Sequence, residues 1–235
     1  MTELSRILNS SFEMLLERPV LFIPRLISTG LSTSLIVAWF SGWLGSILFI
    51  AVFPLVAVLG AVTPVMISAM VEKEDRNNLL AHGVRESLSL WKPIAGLTIF
   101  TVFLAFLNSL PLTLGFLASY ITGNIVYATL GMAVSLILLL GVSFGLYFVP
   151  ISIVRDGSFL RSLQNSFSTS NNNRKEVIVL TLFSLSVLVA SSYFTGWLKE
   201  IGLLIFSAGR MISAVVGTYL LVVSPQYYLE KEVNE

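Results

Sequence analysis

Six stretches of this chain, approximately residues 19–40, 44–71, 93–118, 125–154, 177–197 and 201–228, hold almost nothing but apolar residues, Gly, Ser, Thr and Pro. The hydrocarbon core of a bilayer is about 30 Å thick and requires roughly 20 such residues per helical span. Each stretch has that length. A helix closes its backbone hydrogen bonds within its own segment, which lipid cannot do for it. The alternation over about 10 residues that a membrane barrel needs is missing. The expected fold is therefore all-α: a polytopic integral membrane protein with six transmembrane helices. Composition agrees, since 11% of residues are charged against about 25% in soluble domains.

One layout recurs three times. A short amphipathic stretch leads into a pair of apolar segments, and the second segment ends in a Pro followed by charges. Setting Ser11, Ser87 and Ser166 in register gives offsets of 76 and 79 residues. Apolar positions then align as Leu4/Leu80/Phe159, Leu8/Val84/Leu163 and Phe12/Leu88/Phe167. Self-similarity of this kind identifies the building unit, here an amphipathic helix plus a membrane-crossing hairpin. The chain reads as a single membrane domain over 1–235, made of repeats at approximately 1–72, 73–156 and 157–235. Units of one orientation are parallel repeats, not inverted ones.

Charge sets the orientation. Twelve of the fourteen Lys and Arg residues fall at the N-terminal side or after the second, fourth and sixth spans; the exceptions are Lys199 and Arg210. By the positive-inside rule both termini and the two longer connections are cytoplasmic. Turns at 41–43 and 119–124 lie outside, where Trp39, Trp43, Tyr120 and Trp197 would form an aromatic belt. No secretory signal pattern precedes the first span, which is expected to be retained. Cysteine is absent, which removes disulfides, thiolate metal sites and cysteine lipidation from consideration.

The inner connections are expected to be amphipathic helices covering the cytoplasmic face of the bundle. The first shows Leu4, Leu8, Phe12 and Leu15 on one side; the second shows Leu80, Val84, Leu88 and Trp91, capped by Asp75 or Asn77. The third carries Phe159, Leu163 and Phe167 behind a cap at Asp156 or Ser158, and its polar tail, Ser168 to Asn173, reads as a loop. Pro64, Pro150 and Pro225 take corresponding places near the inner ends of their spans and are expected to bend or end the helix there.

No enzyme pattern survives its chemical requirements. Gly141-Val-Ser143-Phe-Gly145 matches the G-x-S-x-G nucleophile motif, which needs a strand-to-helix turn and a base in reach. Ser143 falls mid-span, and the one His, His82, is in a connection. The same residues form G-x-x-x-G, which allows close helix approach. Asp156-Gly157-Ser158-Phe-Leu-Arg161 resembles the start of the CDP-alcohol phosphotransferase signature, yet a two-metal site needs more Asp than Asp75 and Asp156. His82 has no second ligand at metal-binding spacing. No catalytic, cofactor-binding or metal residue is assigned.

Arg210 is the candidate polar site. It stands well inside the sixth span, where an ionisable group is a functional hypothesis by default. Asn108 is at similar depth in the third span, and Pro111 frees the carbonyl near Leu107 as a further acceptor. The expectation is an Arg210–Asn108/Leu107 contact that locks two repeats together; the alternatives are an anion path lined by the same residues and an Arg210 that snorkels to the outer interface.

Pro150-Ile-Ser-Ile-Val-Arg-Asp156-Gly-Ser158, followed by Asn165-Ser166-Phe167 and a new span, carries a resemblance to a known family. The layout resembles the six-span membrane domain fused to some glycerophosphodiester phosphodiesterases, and related prokaryotic membrane proteins. The hydrolytic domain of the fused proteins has no counterpart here, so the resemblance implies an architecture and a membrane but no catalytic residue. The function expected is a non-enzymatic accessory or scaffold component of a prokaryotic cytoplasmic membrane. The alternative is a small-solute or lipid transporter or channel acting at the repeat interface. Expected partners are the lipid bilayer and either a membrane-protein partner or further copies of this chain; nucleic acid is not among them.

Overall fold

The computed structural model describes residues 3–43, 45–73 and 77–233, and among them every regular element is helical. In chain order these are α1 (Glu3–Glu17), a 3-10 turn (Pro19–Phe22), α2 (Ile23–Phe40), α3 (Ser46–Glu72), α4 (Leu79–Ser89), α5 (Trp91–Thr122), α6 (Val126–Leu146), α7 (Val149–Asp156), α8 (Phe159–Asn172), α9 (Arg174–Ile201) and α10 (Leu203–Val233). Six helical segments, Pro19–Phe40, Ala51–Glu72, Trp91–Thr122, Ile125–Asp156, Arg174–Ile201 and Leu203–Lys231, are long and apolar enough to cross a membrane. They correspond to the six apolar stretches of the sequence. Helices α1, α4 and α8 are the short amphipathic ones, and all three gather at one end of the bundle, the base.

Local structure departs from expectation at several points, each with a physical reason. Residues 168–172 are not a loop but the last turn of α8. Ser166 and Ser170 hydroxyls donate to the Gly145 and Phe144 carbonyls at 2.7 and 2.9 Å, so tertiary bonds at the end of α6 hold a polar segment helical. Only Pro150 coincides with a break: α6 stops at Leu146 and α7 restarts with Pro150 in its first turn, where no N–H is needed. Pro64 and Pro225 sit inside continuous helices. The turn expected at 119–124 is shorter, because α5 runs to Thr122 and Gly123 then turns the chain at φ +69°. Asp75 and Arg76 lie outside the described residues. Asn77 does not cap α4; Asn78 occupies the N-cap in a left-handed conformation, φ 56°, without a side-chain cap bond. Ser158 takes the N-cap position of α8 without such a bond, while the Asp156 carboxylate accepts from Asn165 Nδ2 at 2.8 Å.

Close helix approach is used on α5–α6 rather than at Gly141-x-x-x-Gly145. A Cβ on Gly115 would meet the Tyr127 carbonyl oxygen at 2.7 Å, and one on Gly131 would run into the Pro111 carbonyl oxygen. Gly145 is instead covered by the Phe167 ring, and Gly141 faces open space.

The core sits at the base. One apolar cluster joins Leu15, Leu21, Ile67, Met70, Leu79 and Val222. A second joins Ile7, Phe148, Ile151, Val177, Leu180 and Tyr227, with the Phe148 and Tyr227 rings stacked 5.5 Å apart. The third joins Val65, Leu90, Ile94, Leu97, Val149 and Ile153. Towards the far end the helices present exposed Phe103, Phe106, Leu136, Ile137 and Val189. Apolar side chains facing outward are at no disadvantage when the surroundings are lipid tails.

Candidate functional site

Arg210 sits in a seam where α10 runs antiparallel to α2. Direction is given by the contacts: Gly217 lies against Arg25, Met211 against Gly30, and Arg210 against Ser32 and Thr33. The seam is built from small residues. Thr29, Thr33, Ala214, Gly217 and Thr218 are all buried there. Small side chains let membrane helices approach closely and bring hydroxyls within reach of the facing helix. Arg210 Nε donates to Thr33 Oγ1 and Nη2 donates to Ser32 Oγ, both at 3.3 Å. Ser32 passes the polarity on by donating to the Thr29 carbonyl at 3.0 Å.

The expected partner is therefore replaced. Arg210 binds the first span, not the third, and Asn108 is engaged elsewhere. The Asn108 carbonyl accepts from Ser135 Oγ at 2.8 Å, a contact within the α5–α6 hairpin, while its side-chain Oδ1 is buried without a hydrogen-bond partner. Depth alone matched Arg210 to Asn108, but α2 is the helix packed beside α10 here, and two of its hydroxyls accept from the guanidinium.

A second arginine shares the seam. Arg25 lies in the first turn of α2, inside the first span, with its guanidinium laid over Gly217: a Cβ there would stand 3.5 Å from Nε. Arg25 Nε is buried with no hydrogen-bond acceptor among the described residues. Sequence reading grouped Arg25 with the flanking cations. Its place within the apolar run that begins at Pro19 was the available signal.

Polar and ionic contacts between distant parts of the chain concentrate at the base. Arg6 pairs with Glu230 at 3.0 Å, Arg155 with Glu72 at 2.9 Å, and Lys231 with Glu176 at 3.3 Å. Tyr227 also donates its hydroxyl to Glu176. Arg18 Nη1 reaches the Lys73 carbonyl at 2.8 Å, Tyr219 the Leu8 carbonyl at 3.2 Å and Ser224 the Tyr147 carbonyl at 2.7 Å. Far from the base, Ser191 and Ser213 link α9 to α10 through a 2.6 Å hydroxyl pair, and Lys199 stands 3.8 Å over the Phe40 ring.

The larger clefts are apolar and open sideways. One of about 700 Å³ lies between α3 and α5, lined by Phe53, Pro64, Leu97, Phe106 and Pro150. Another of about 510 Å³ lies between α6 and α9, beside Gly141, Phe144 and Ile178. Neither is lined by Arg210 or Arg25. Among the described residues no group of three or more His, Cys, Asp or Glu is placed to hold a metal ion. No family model, curated protein or solved structure matches this chain.

Proposed function

We propose that this chain is a non-enzymatic accessory or scaffold component of a prokaryotic cytoplasmic membrane, with both termini and the base on the cytoplasmic side. The observation that carries this reading is where the polar groups go. The ion pairs between the units lie at the base, Arg6–Glu230 between the first and third and Arg155–Glu72 between the first and second, and the Arg210 bonds to Ser32 and Thr33 likewise tie the third unit to the first. The two lateral clefts are apolar, which suits lipid or another membrane helix better than a hydrated solute. Exposed pairs of this kind each contribute only about 0–1 kcal/mol, so their value lies in fixing how the units sit together.

Support for three repeats comes from burial in register. Ser11, Ser87 and Ser166 are all buried, whereas Phe12, Leu88 and Phe167 are 56%, 70% and 50% exposed. The likeness to the six-span domain of glycerophosphodiester phosphodiesterases remains part of this proposal, as an architecture without transferred chemistry. The rival reading, a transporter at the repeat interface, draws on one feature: two arginines in the α2–α10 seam with no carboxylate bonded to either among the described residues. Flux assays separate the two. Proteoliposomes carrying the purified chain and loaded with phosphate or chloride are expected to leak no faster than protein-free vesicles. Flux above that background, lost in both Arg210→Gln and Arg210→Leu while each folds, would replace the scaffold with the transporter.

A further inference from the structure

We propose that the α2–α10 seam binds a phosphate group that carries no ammonium of its own, with Arg25 as the contact residue and Arg210 as a second, deeper positive charge. The argument begins with an unmet demand. A charge buried without a partner costs several kcal/mol, so buried guanidiniums are normally hydrogen-bonded throughout. Arg210 makes two such bonds, to Ser32 and Thr33. Arg25 Nε is buried and has no such bond among the described residues.

Residue choice along the seam keeps this position open. Gly217 faces the Nε–Nη2 edge of the guanidinium: a Cβ there would be in ordinary contact at 3.5 and 3.6 Å, and only a larger side chain would crowd it. The Arg25 side chain as a whole is only partly buried. Arg25 lies seven residues beyond Arg18, which bonds the last carbonyl after α3; at 1.5 Å per residue that is about 10 Å into the span. A long cationic side chain starting there reaches back to the headgroup layer. Gly217 and Arg210 are also seven residues apart, so a second positive charge stands about 10 Å further along α10.

Chemistry selects the ligand. A guanidinium presents its donors as a planar fork that matches two phosphate oxygens, and this pairing is stronger than a neutral hydrogen bond. Two cations without a carboxylate on the seam favour an anion and disfavour a zwitterion. The same chemistry is offered by an anionic lipid headgroup and by free phosphate.

The experiment uses the purified full chain in detergent. An equimolar mixture of phosphatidylglycerol and phosphatidylcholine with identical acyl chains is added, and bound lipid is counted by native mass spectrometry. In a second arm, thermal unfolding is followed with and without inorganic phosphate. Wild type is expected to retain phosphatidylglycerol about tenfold over phosphatidylcholine, the ratio that one charge-assisted contact supports. Arg25→Gln should lose that preference, as should Gly217→Val, which crowds the guanidinium; Arg161→Gln on α8 should keep it. Lipid preference without a phosphate effect identifies the headgroup as the source. A raised unfolding temperature in phosphate that is lost in the same two variants identifies the free anion. Wild type retaining both lipids equally and unfolding unchanged in phosphate would overturn the proposal, whether or not the variants fold. So would Arg25→Gln folding and behaving as wild type.

Discussion

A guanidinium inside a bilayer costs at least a few kcal/mol unless its donors find acceptors, and at Arg210 two hydroxyls of α2 meet that requirement. Arg210→Gln keeps a donor, whereas Arg210→Leu leaves Ser32 and Thr33 without it. Unfolding in detergent should therefore cost Leu more than Gln, with each lost bond worth about 0.5–1.5 kcal/mol. A double-mutant cycle of Arg210→Gln with Thr33→Val should show coupling, and its absence would mean that the two side chains do not hold each other. Glycine gives a second residue-level test. Gly131→Ala forces a Cβ onto the Pro111 carbonyl and should destabilise by about 1–3 kcal/mol, while Gly141→Ala, which meets nothing within 4 Å, should be neutral. Equal effects of the two in chemical denaturation would contradict the α5–α6 packing. Both examples mark what was legible beforehand. A lone charge in an apolar run singled out Arg210, and Gly-x-x-x-Gly singled out a helix with close contacts. Depth, however, does not say which neighbour lies alongside, so Asn108 and Gly141 were assigned contacts that Ser32, Thr33 and Gly131 make.

Helix α4 shows the same limit one scale up. Its amphipathic pattern was legible from Leu80, Val84 and Leu88, but which flank faces the protein was not. In water the bulky apolar side turns inward; beside lipid that drive vanishes, and close packing favours small residues inward. Accordingly Gly83 and Ser87 are buried alongside Leu79, with Gly83 set on Met66 and Met70 of α3, while Leu88, and Trp91 at the start of α5, are 70% and 62% exposed. Helix α8 repeats this with Ser162, Ser166 and Ser170 inward. Ser87→Leu should thus overpack the α3–α4 contact and lower stability by about 1–3 kcal/mol, whereas Leu88→Ala should leave detergent stability nearly unchanged. The outward face is tested by light. With Trp39, Trp43 and Trp197 replaced by Phe, Trp91 fluorescence should be quenched by lipids brominated near the headgroup and little by aqueous iodide. Strong iodide quenching with no response to brominated lipid would mean that the junction of α4 and α5 stands off the membrane. The tail of α8 was missed for a related reason: Ser168 to Asn173 is polar, and what keeps it helical is a pair of hydroxyl bonds to carbonyls of another helix.

At the scale of the molecule, six apolar helices rise from a base where three core clusters and the inter-unit ion pairs are concentrated. Span number and length were readable directly, because bilayer thickness fixes both. The base as the place where distant segments are joined was not, since Arg6–Glu230 and Arg155–Glu72 unite residues 224 and 83 positions apart. The proposed orientation follows from the cations around that base and sets both termini, α1, α4 and α8 facing the cytoplasm. Single cysteines at Asn124, in the turn between α5 and α6, and at Asn172, at the end of α8, address it most directly, since both positions are exposed and native cysteine is absent. In intact cells, an impermeant thiol reagent applied outside is predicted to label Asn124→Cys and to reach Asn172→Cys only after the membrane is broken. Labelling of Asn172→Cys but not Asn124→Cys in intact cells would invert the molecule in its membrane and contradict the account.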